Sequence, residues 1–404
     1  MTNDEARMTK ECREFEVRVG HWIEKRRPLL VELLSGLIRA RTENPPGNEA
    51  EAAKVLAAFF DRFQIPHESF EAAPGRTNLI GRVGTGGKTL LLPGHLDTVP
   101  AGDGWSYPPF EPTIIAGRMY GRGTMDNKGP MAAIALAGAC LKECADLNGT
   151  VLLAGVADEE AGSALGLEWL MREKLLHADY AIVPDCGGEM GEVDVAEKGL
   201  LHVRVISHGR QAHGSTPQRG VNAIWNLIEL LERARAAGLP DAQHDLLSPP
   251  TCNLGMISGG VAPNVVPGVA AAVLDFRYLP GQTAEQYLRR LRELADAVAR
   301  DLPDARFDVE TICSLPATEV ERDSPLVRII RETAAATTGR PVRLFGMSGA
   351  TVTKQLISRG VVAVGFSAGD AKLAHMADES VELEELAQFA RVITLVAVRL
   401  LGTK

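Results

Sequence analysis

The chain has 404 residues, of which 45% are hydrophobic and 24% charged, and a formal net charge of −9. That length predicts two or three domains of an ordinary globular protein, and an acidic balance without a Lys/Arg-rich block argues against nucleic acid as a partner. Membrane attachment is also excluded at this level: no run of about 18 apolar residues is present, and residues 1–16 are polar, with no signal-peptide core.

In chain order, apolar residues recur at helical spacing over 22–40, and the breaker Asn44-Pro45-Pro46-Gly47-Asn48 follows. A second helix is predicted over 49–63, strands over 77–83 and 88–93, and a helix of small residues over 130–144. A strand at 150–157, a helix at 163–173 and a strand at 180–183 continue the alternation. That rhythm predicts an α/β fold with a doubly wound sheet. From 198 the pattern changes: strand 200–207, helix 222–237, strands 252–257 and 269–278, helix 283–300 and strand 306–312. The order β-α-β-β-α-β is the ferredoxin-like plan. The α/β rhythm then resumes with helix 324–338, strand 342–345, helix 351–358, strand 361–365 and a long helix from Leu383. The expected organisation is a catalytic domain of residues 1–197 and 313–404, interrupted by an inserted domain at 198–312. The six cysteines (Cys12, Cys140, Cys144, Cys186, Cys252 and Cys313) form no CxxC pair and read as reduced thiols of a cytoplasmic protein.

The chemistry-bearing residues fall where predicted strands end. The apolar run Leu90-Leu91-Leu92-Pro93 leads into Gly94-His95-Leu96-Asp97-Thr98-Val99-Pro100. His95 and Asp97 stand at strand spacing, so Asp97 can brace His95 or a neighbouring metal shell; a solvated His-Asp pair at a capped strand end is the plainer alternative. Tyr120-Gly121-Arg122-Gly123-Thr124-Met125-Asp126 delivers Asp126 just before a helix, where a simple N-cap is the competing role. The buried-type strand 152–157 runs into Asp158-Glu159-Glu160. Three successive carboxylates there are unfavourable unless a cation compensates, and a metal pair would do so while leaving one Glu as a base. Asp185 follows another apolar strand, and His375 lies in a late turn. Strand C-termini are where α/β folds place their sites. Two histidines and several carboxylates at successive strand ends suit two divalent ions.

These segments resemble the co-catalytic di-zinc exopeptidase and deacylase family of carboxypeptidase G, acetylornithine deacetylase, succinyl-diaminopimelate desuccinylase and the carnosine-type dipeptidases. Gly94-His95-Leu96-Asp97-Thr98-Val99-Pro100 and Gly121-Arg122-Gly123-Thr124-Met125-Asp126 carry the resemblance, which extends from Arg41 to the last helix. It implies that His95 and Asp185 ligate one metal, Glu160 and His375 the other, and Asp126 bridges them. It further implies that Asp97 orients the first site, and that Glu159 is the general base serving the bridging water. The inserted domain would be a dimerisation and lid domain of a homodimer, with His213 reaching the partner's active site to stabilise an oxyanion. Asn264 and Arg277 would hold a substrate carboxylate, as would the late glycine loop at Gly349; on its own, Arg277 reads more readily as a surface ion pair on a strand, and the resemblance reverses that preference. The implied cofactors are two divalent ions, zinc first, with manganese or cobalt as alternatives.

The chain departs from the family pattern in three places. Ala350 stands where the late loop usually carries Asp, Asp126 is followed by Asn127 rather than Met, and Asp185 replaces the Glu more usual in deacylases. These departures bear on substrate. The implied activity is hydrolysis of an amide or peptide bond in a small carboxylate-bearing molecule, either a dipeptide or an N-acyl amino acid. An aminohydrolase releasing ammonia and an inactive metal-binding relative are the competing readings.

Overall fold

A computed structural model of the chain describes residues 3–404, with side chains from Arg13 onward. The readings of residues 1–16 as lacking a signal sequence and of Cys12 as a thiol therefore fall largely outside the described residues. The chain forms two compact units. One comprises residues 1–195, 320–345 and 351–404; the other comprises 196–319 and 346–350. The short piece 346–350 and residues 313–319 thus group with the second unit rather than with the segment that follows it in sequence.

The first unit is built on a mixed sheet. Its strands lie in the order His67–Glu71, Thr77–Gly84, Gly149–Val156, Lys88–His95, Tyr180–Val183, Val362–Gly365, Glu192–Glu197. The middle strands run parallel, and those on either flank run antiparallel. All eight residues of Gly149–Val156 are buried, as expected of a central strand covered on both faces. Leu91, Leu152, Ala154 and Val156 pack with Leu167, Leu170 and Leu356 on one face. Leu153 points to the other, against the helix Lys128–Cys144, where a Cβ on Gly138 would stand 2.2 Å from Leu153 Cδ1. The small residues of that helix are what allow it to approach the sheet so closely. Helices Asn3–Arg39 and Leu383–Leu401 pack beside it.

Parallel register brings the functional ends together. His95 lies level with Val156, and Val183 with Gly365. The turns after these four strands therefore open at one edge of the sheet.

In the second unit, Thr251–Gly259, Val269–Tyr278, Gly199–His208 and Arg306–Leu315 form an antiparallel sheet in that order. Helices Ala223–Ala237 and Ala284–Asp301 cover the face bearing Leu201, Val203, Val205, Leu274 and Phe276. Asn222 caps the first helix and a Thr283–Gln286 capping box opens the second.

The first helix departs furthest from its expected limits, running Asn3–Arg39 through Pro28. Charged helix formers extend it without an apolar stripe, so periodicity did not mark its start. Conversely, helix 163–173 shrinks to Leu167–Arg172. Strands His67–Glu71, Thr113–Ile115, Arg118–Tyr120, Thr318–Glu319 and Ser380–Glu382 are short or polar enough to leave no alternating pattern, whereas Glu192–Glu197, also absent from the expected strands, does alternate over Glu192-Val193-Asp194-Val195. No helix among the described residues is long and apolar enough to cross a membrane, and the described cysteines form no disulfide.

Candidate metal centre

His95 closes its strand with a buried imidazole. Its Nε2 lies 2.8 Å from Asp126 Oδ1 and 3.7 Å from Asp185 Oδ1. On the other side of the ring, Nδ1 is 3.0 Å from the Asp97 carbonyl oxygen and 3.5 Å from Asp97 Oδ1. Asp97 does more than brace this ring. Its carboxylate accepts the backbone N–H groups of Glu159 and Glu160 at 3.1 and 3.2 Å, and Asn44 Nδ2 at 2.9 Å. One buried carboxylate thereby fixes the histidine and the acidic turn together.

That turn is held from below as well. Asp158 adopts φ 64, a left-handed conformation that persists only where surroundings enforce it. Here Arg76 Nη2 donates to Asp158 Oδ1 at 2.8 Å, while Arg76 also grips both oxygens of buried Glu49 at 2.7 and 2.8 Å. Glu49 Oε1 in turn accepts the Asp158 N–H at 3.1 Å. The result presents Glu159 and Glu160 side by side. Glu160 Oε1 accepts the Val99 N–H at 3.2 Å, and Oε2 is 3.2 Å from His375 Nε2. His375 Nε2 also stands 3.2 Å from Asp126 Oδ2. Asp126 caps nothing; the helix starts at Lys128, after Asn127.

Two groups of donor atoms result, His95–Asp126–Asp185 and Asp126–Glu160–His375, each with its atoms within 4.8 Å of one another. Asp126 belongs to both, one oxygen facing each histidine. Electrostatics show what such crowding costs without a cation. Burial pulls His95 down, but its contacts with Asp126, Asp185 and Asp97 outweigh that and hold it well above its usual value. Contacts with Asp126 and Glu160 raise His375 to about 10. Burial and the nearby charge of Asp126 push Asp185 up to about 7, and burial with the charge of Asp185 lifts Glu159 well above the ordinary carboxylate range. Asp126, though buried, is held low by the two histidines. Protons here balance carboxylates that divalent ions would balance better. Imidazole and carboxylate donors sharing one bridging carboxylate suit a pair of divalent ions.

The remaining candidates lie in the second unit. His213 is exposed, with Nδ1 2.7 Å from Ser215 Oγ, and its segment pairs with that of Asn264, whose carbonyl accepts the Gly214 N–H at 2.7 Å. Arg277 is held by Asp275, Nε to Oδ1 at 2.9 Å and Nη2 to Oδ2 at 3.2 Å. Gly349 lies in the 346–350 piece. Sequence reading assigned no role to Asn44, Glu49, Arg76, Arg122 or Glu379. A lone Arg between two glycines at 121–123 and the acidic pair Asp378-Glu379 were the only local hints.

A mixed α/β sheet with two groups of histidine and carboxylate donors at its strand ends is what a metal-dependent hydrolase of the two-ion kind would present. The profile of peptidase family M20/M25/M40 matches residues 91–399, and the chain belongs to that family. It is 30% identical to the acetylornithine deacetylase of Myxococcus xanthus, over 93% of this chain and 97% of that one. It is also 30% identical to the succinyl-diaminopimelate desuccinylase of Gluconacetobacter diazotrophicus, over 92% and 96%. Aminopeptidase PepT of Bacillus cereus superposes with a TM-score of 0.77 at 25% identity, covering 92% of this chain and 98% of the other. These relationships make the protein a metal-dependent hydrolase acting on C–N bonds.

Proposed function

We propose that the chain hydrolyses an amide or peptide bond in a small substrate bearing a carboxylate, with dipeptides favoured over N-acyl amino acids. The observation that carries this reading is the sharing of Asp126 by two ligand groups beside an uncommitted Glu159. His95 and Asp185 would hold one ion, Glu160 and His375 the other, and Asp126 both. Divalent ions so held supply Lewis acidity and bring the pKa of water to about 7. Glu159, aimed by the hydrogen bond from its N–H to Asp97, takes up a proton on its carboxylate and returns it to the leaving nitrogen. Asp97 keeps His95 oriented with Nε2 toward Asp126.

In the second unit, the β-α-β-β-α-β order supports a ferredoxin-like lid and dimerisation domain. Its edge strand Thr251–Gly259 is exposed along its whole length, including Leu254, Met256 and Ile257, as an interface between two copies would require. The partner's His213 would then stabilise the oxyanion. Asp275 fixes the plane of Arg277, which together with Asn264 and the Gly349 loop would receive the substrate carboxylate.

The preference for dipeptides rests on Asn127, Pro130 and Asp185, the positions around the proposed ligands at which the chain departs from the deacylase pattern. Measuring kcat/KM for a dipeptide and for the same dipeptide N-acetylated decides the matter. The free dipeptide is expected to be cleaved faster; the reverse order would assign the chain to the deacylases.

A further inference from the structure

Arg122 and Glu379 form a fully buried ion pair, 2.7 Å from Arg122 Nη1 to Glu379 Oε2, that joins the two halves of the ligand set without being part of it. Glu379 Oε1 accepts the N–H groups of Met125 and Asp126 at 2.8 and 3.0 Å, and Oε2 accepts that of Gly123 at 3.0 Å. This single carboxylate therefore pins the backbone that carries Asp126. Arg122 pins the other half. Its Nη1 donates to the Met376 carbonyl at 3.1 Å, and its Nη2 to the carbonyls of His375 at 3.4 Å and Ala101 at 3.1 Å. The Trp105 ring lies 5.0 Å from the guanidinium carbon and closes the remaining side.

The need for such a clamp is visible at His375, whose φ is 63. A side chain in the left-handed region is disfavoured, and the conformation survives only when neighbouring contacts over-determine it. His95 and Asp185 have no comparable requirement, since each directly ends or follows a strand locked into the parallel sheet.

We propose that Arg122, held in place by Glu379, is a positioning device that sets His375 against Asp126, and so governs cation occupancy of the Asp126–Glu160–His375 group selectively. The inference rests on the reading that the two groups hold divalent ions. Neither residue donates an atom to those groups, so neither is a catalytic residue. A carboxylate and a fixed guanidinium fork suit the task because each contacts several backbone groups at once.

Titration of the metal-free full-length protein with Zn²⁺ against a chromophoric chelator, and with Co²⁺ followed by visible absorption, tests this. Wild type should take up two ions. Arg122→Lys should keep the first ion at wild-type affinity, with an unchanged Co²⁺ spectrum at one equivalent. Its second ion should weaken about 10–100-fold, the usual effect of removing a group that orients a ligand. His375→Ala serves as the reference for loss of that group alone, and the two patterns should coincide. Equal weakening of both ions, or none, in a variant with wild-type near-ultraviolet circular dichroism overturns the proposal while leaving the two-ion reading intact. Fewer than two ions in wild type overturns both. Should Arg122→Lys not fold, Arg122→Gln, which leaves the Glu379 contacts to the Gly123, Met125 and Asp126 N–H groups intact, takes its place. Failure of both variants to fold would mark the pair as a general folding element and equally overturn the proposal.

Discussion

Glu159 is the residue whose loss should separate binding from turnover. Its charge is felt by Asp185, His95 and Asp126, but it belongs to neither donor group, and its N–H rather than its side chain is what Asp97 holds. Glu159→Gln is therefore expected to retain both ions by elemental analysis while kcat falls by roughly 10²–10⁴, the usual contribution of a positioned base. Retention of activity would move the base elsewhere. The same residue shows what was legible in sequence. An apolar strand running into Asp158-Glu159-Glu160 announces a charge problem that needs a cation, because that inference uses only local neighbours. The residues that solve the mechanical problem are invisible by the same logic. Arg76 meets Glu49 and Asp158 across 27 and 82 positions, and Arg122 meets Glu379 across 257. Only the closed fold makes them partners.

At the scale of elements, the acidic turn is confined by the backbone around it. Gly166 begins the helix Leu167–Arg172, and a Cβ there would stand 1.8 Å from the Ala157 carbonyl oxygen. Backbone on both sides cannot yield as a side-chain tip would. Gly166→Ala should cost about 1–3 kcal/mol, the range for overpacking, read as a lowered urea midpoint, and should weaken metal binding through Glu160. An unchanged midpoint would show that the turn is softer than its contacts imply. The long parallel strands were readable because buried strands are continuous apolar runs. The short edge strands were not, since three residues with mixed exposure, as in Thr113–Ile115, carry no period.

For the whole molecule, the crowded site should make stability depend on pH and metal together. Asp185, raised to about 7, favours the folded state while protonated, and that contribution fades as pH rises from its unfolded value toward 7. His375, raised to about 10, contributes stability fully below its unfolded pKa and loses it as pH climbs toward 10. Both act in the same direction up to about pH 7, above which Lys128, lowered by burial to about 7, opposes His375, so the metal-free protein should lose Tm between about pH 5 and pH 7. Ions replace those protons, and the Tm gained on loading should therefore widen over that interval. A gain that is flat with pH would contradict the protonation pattern. Assembly is tested by mixing inactive Glu159→Gln chains with inactive His213→Ala chains. If the partner's His213 completes each site, hybrid dimers regain one working site of two. No recovery under demonstrated subunit exchange would place His213 outside the chemistry.

The two donor groups are also completed at different moments of biosynthesis. His95, Asp126 and Asp185 have all emerged by mid-chain, whereas His375 follows about 190 residues later, a delay of roughly 10–40 s at 5–20 residues per second. A ribosome-bound chain thus carries an unfinished centre for most of that time, with Asp126 short of one of its two imidazoles. Premature termination between Asp185 and His375 leaves a polypeptide with all the residues of one donor group and not those of the second. Such a product lacks His375 and also the helix Leu383–Leu401 that packs against Lys128–Cys144, so it has neither the second donor group nor the full support of the first.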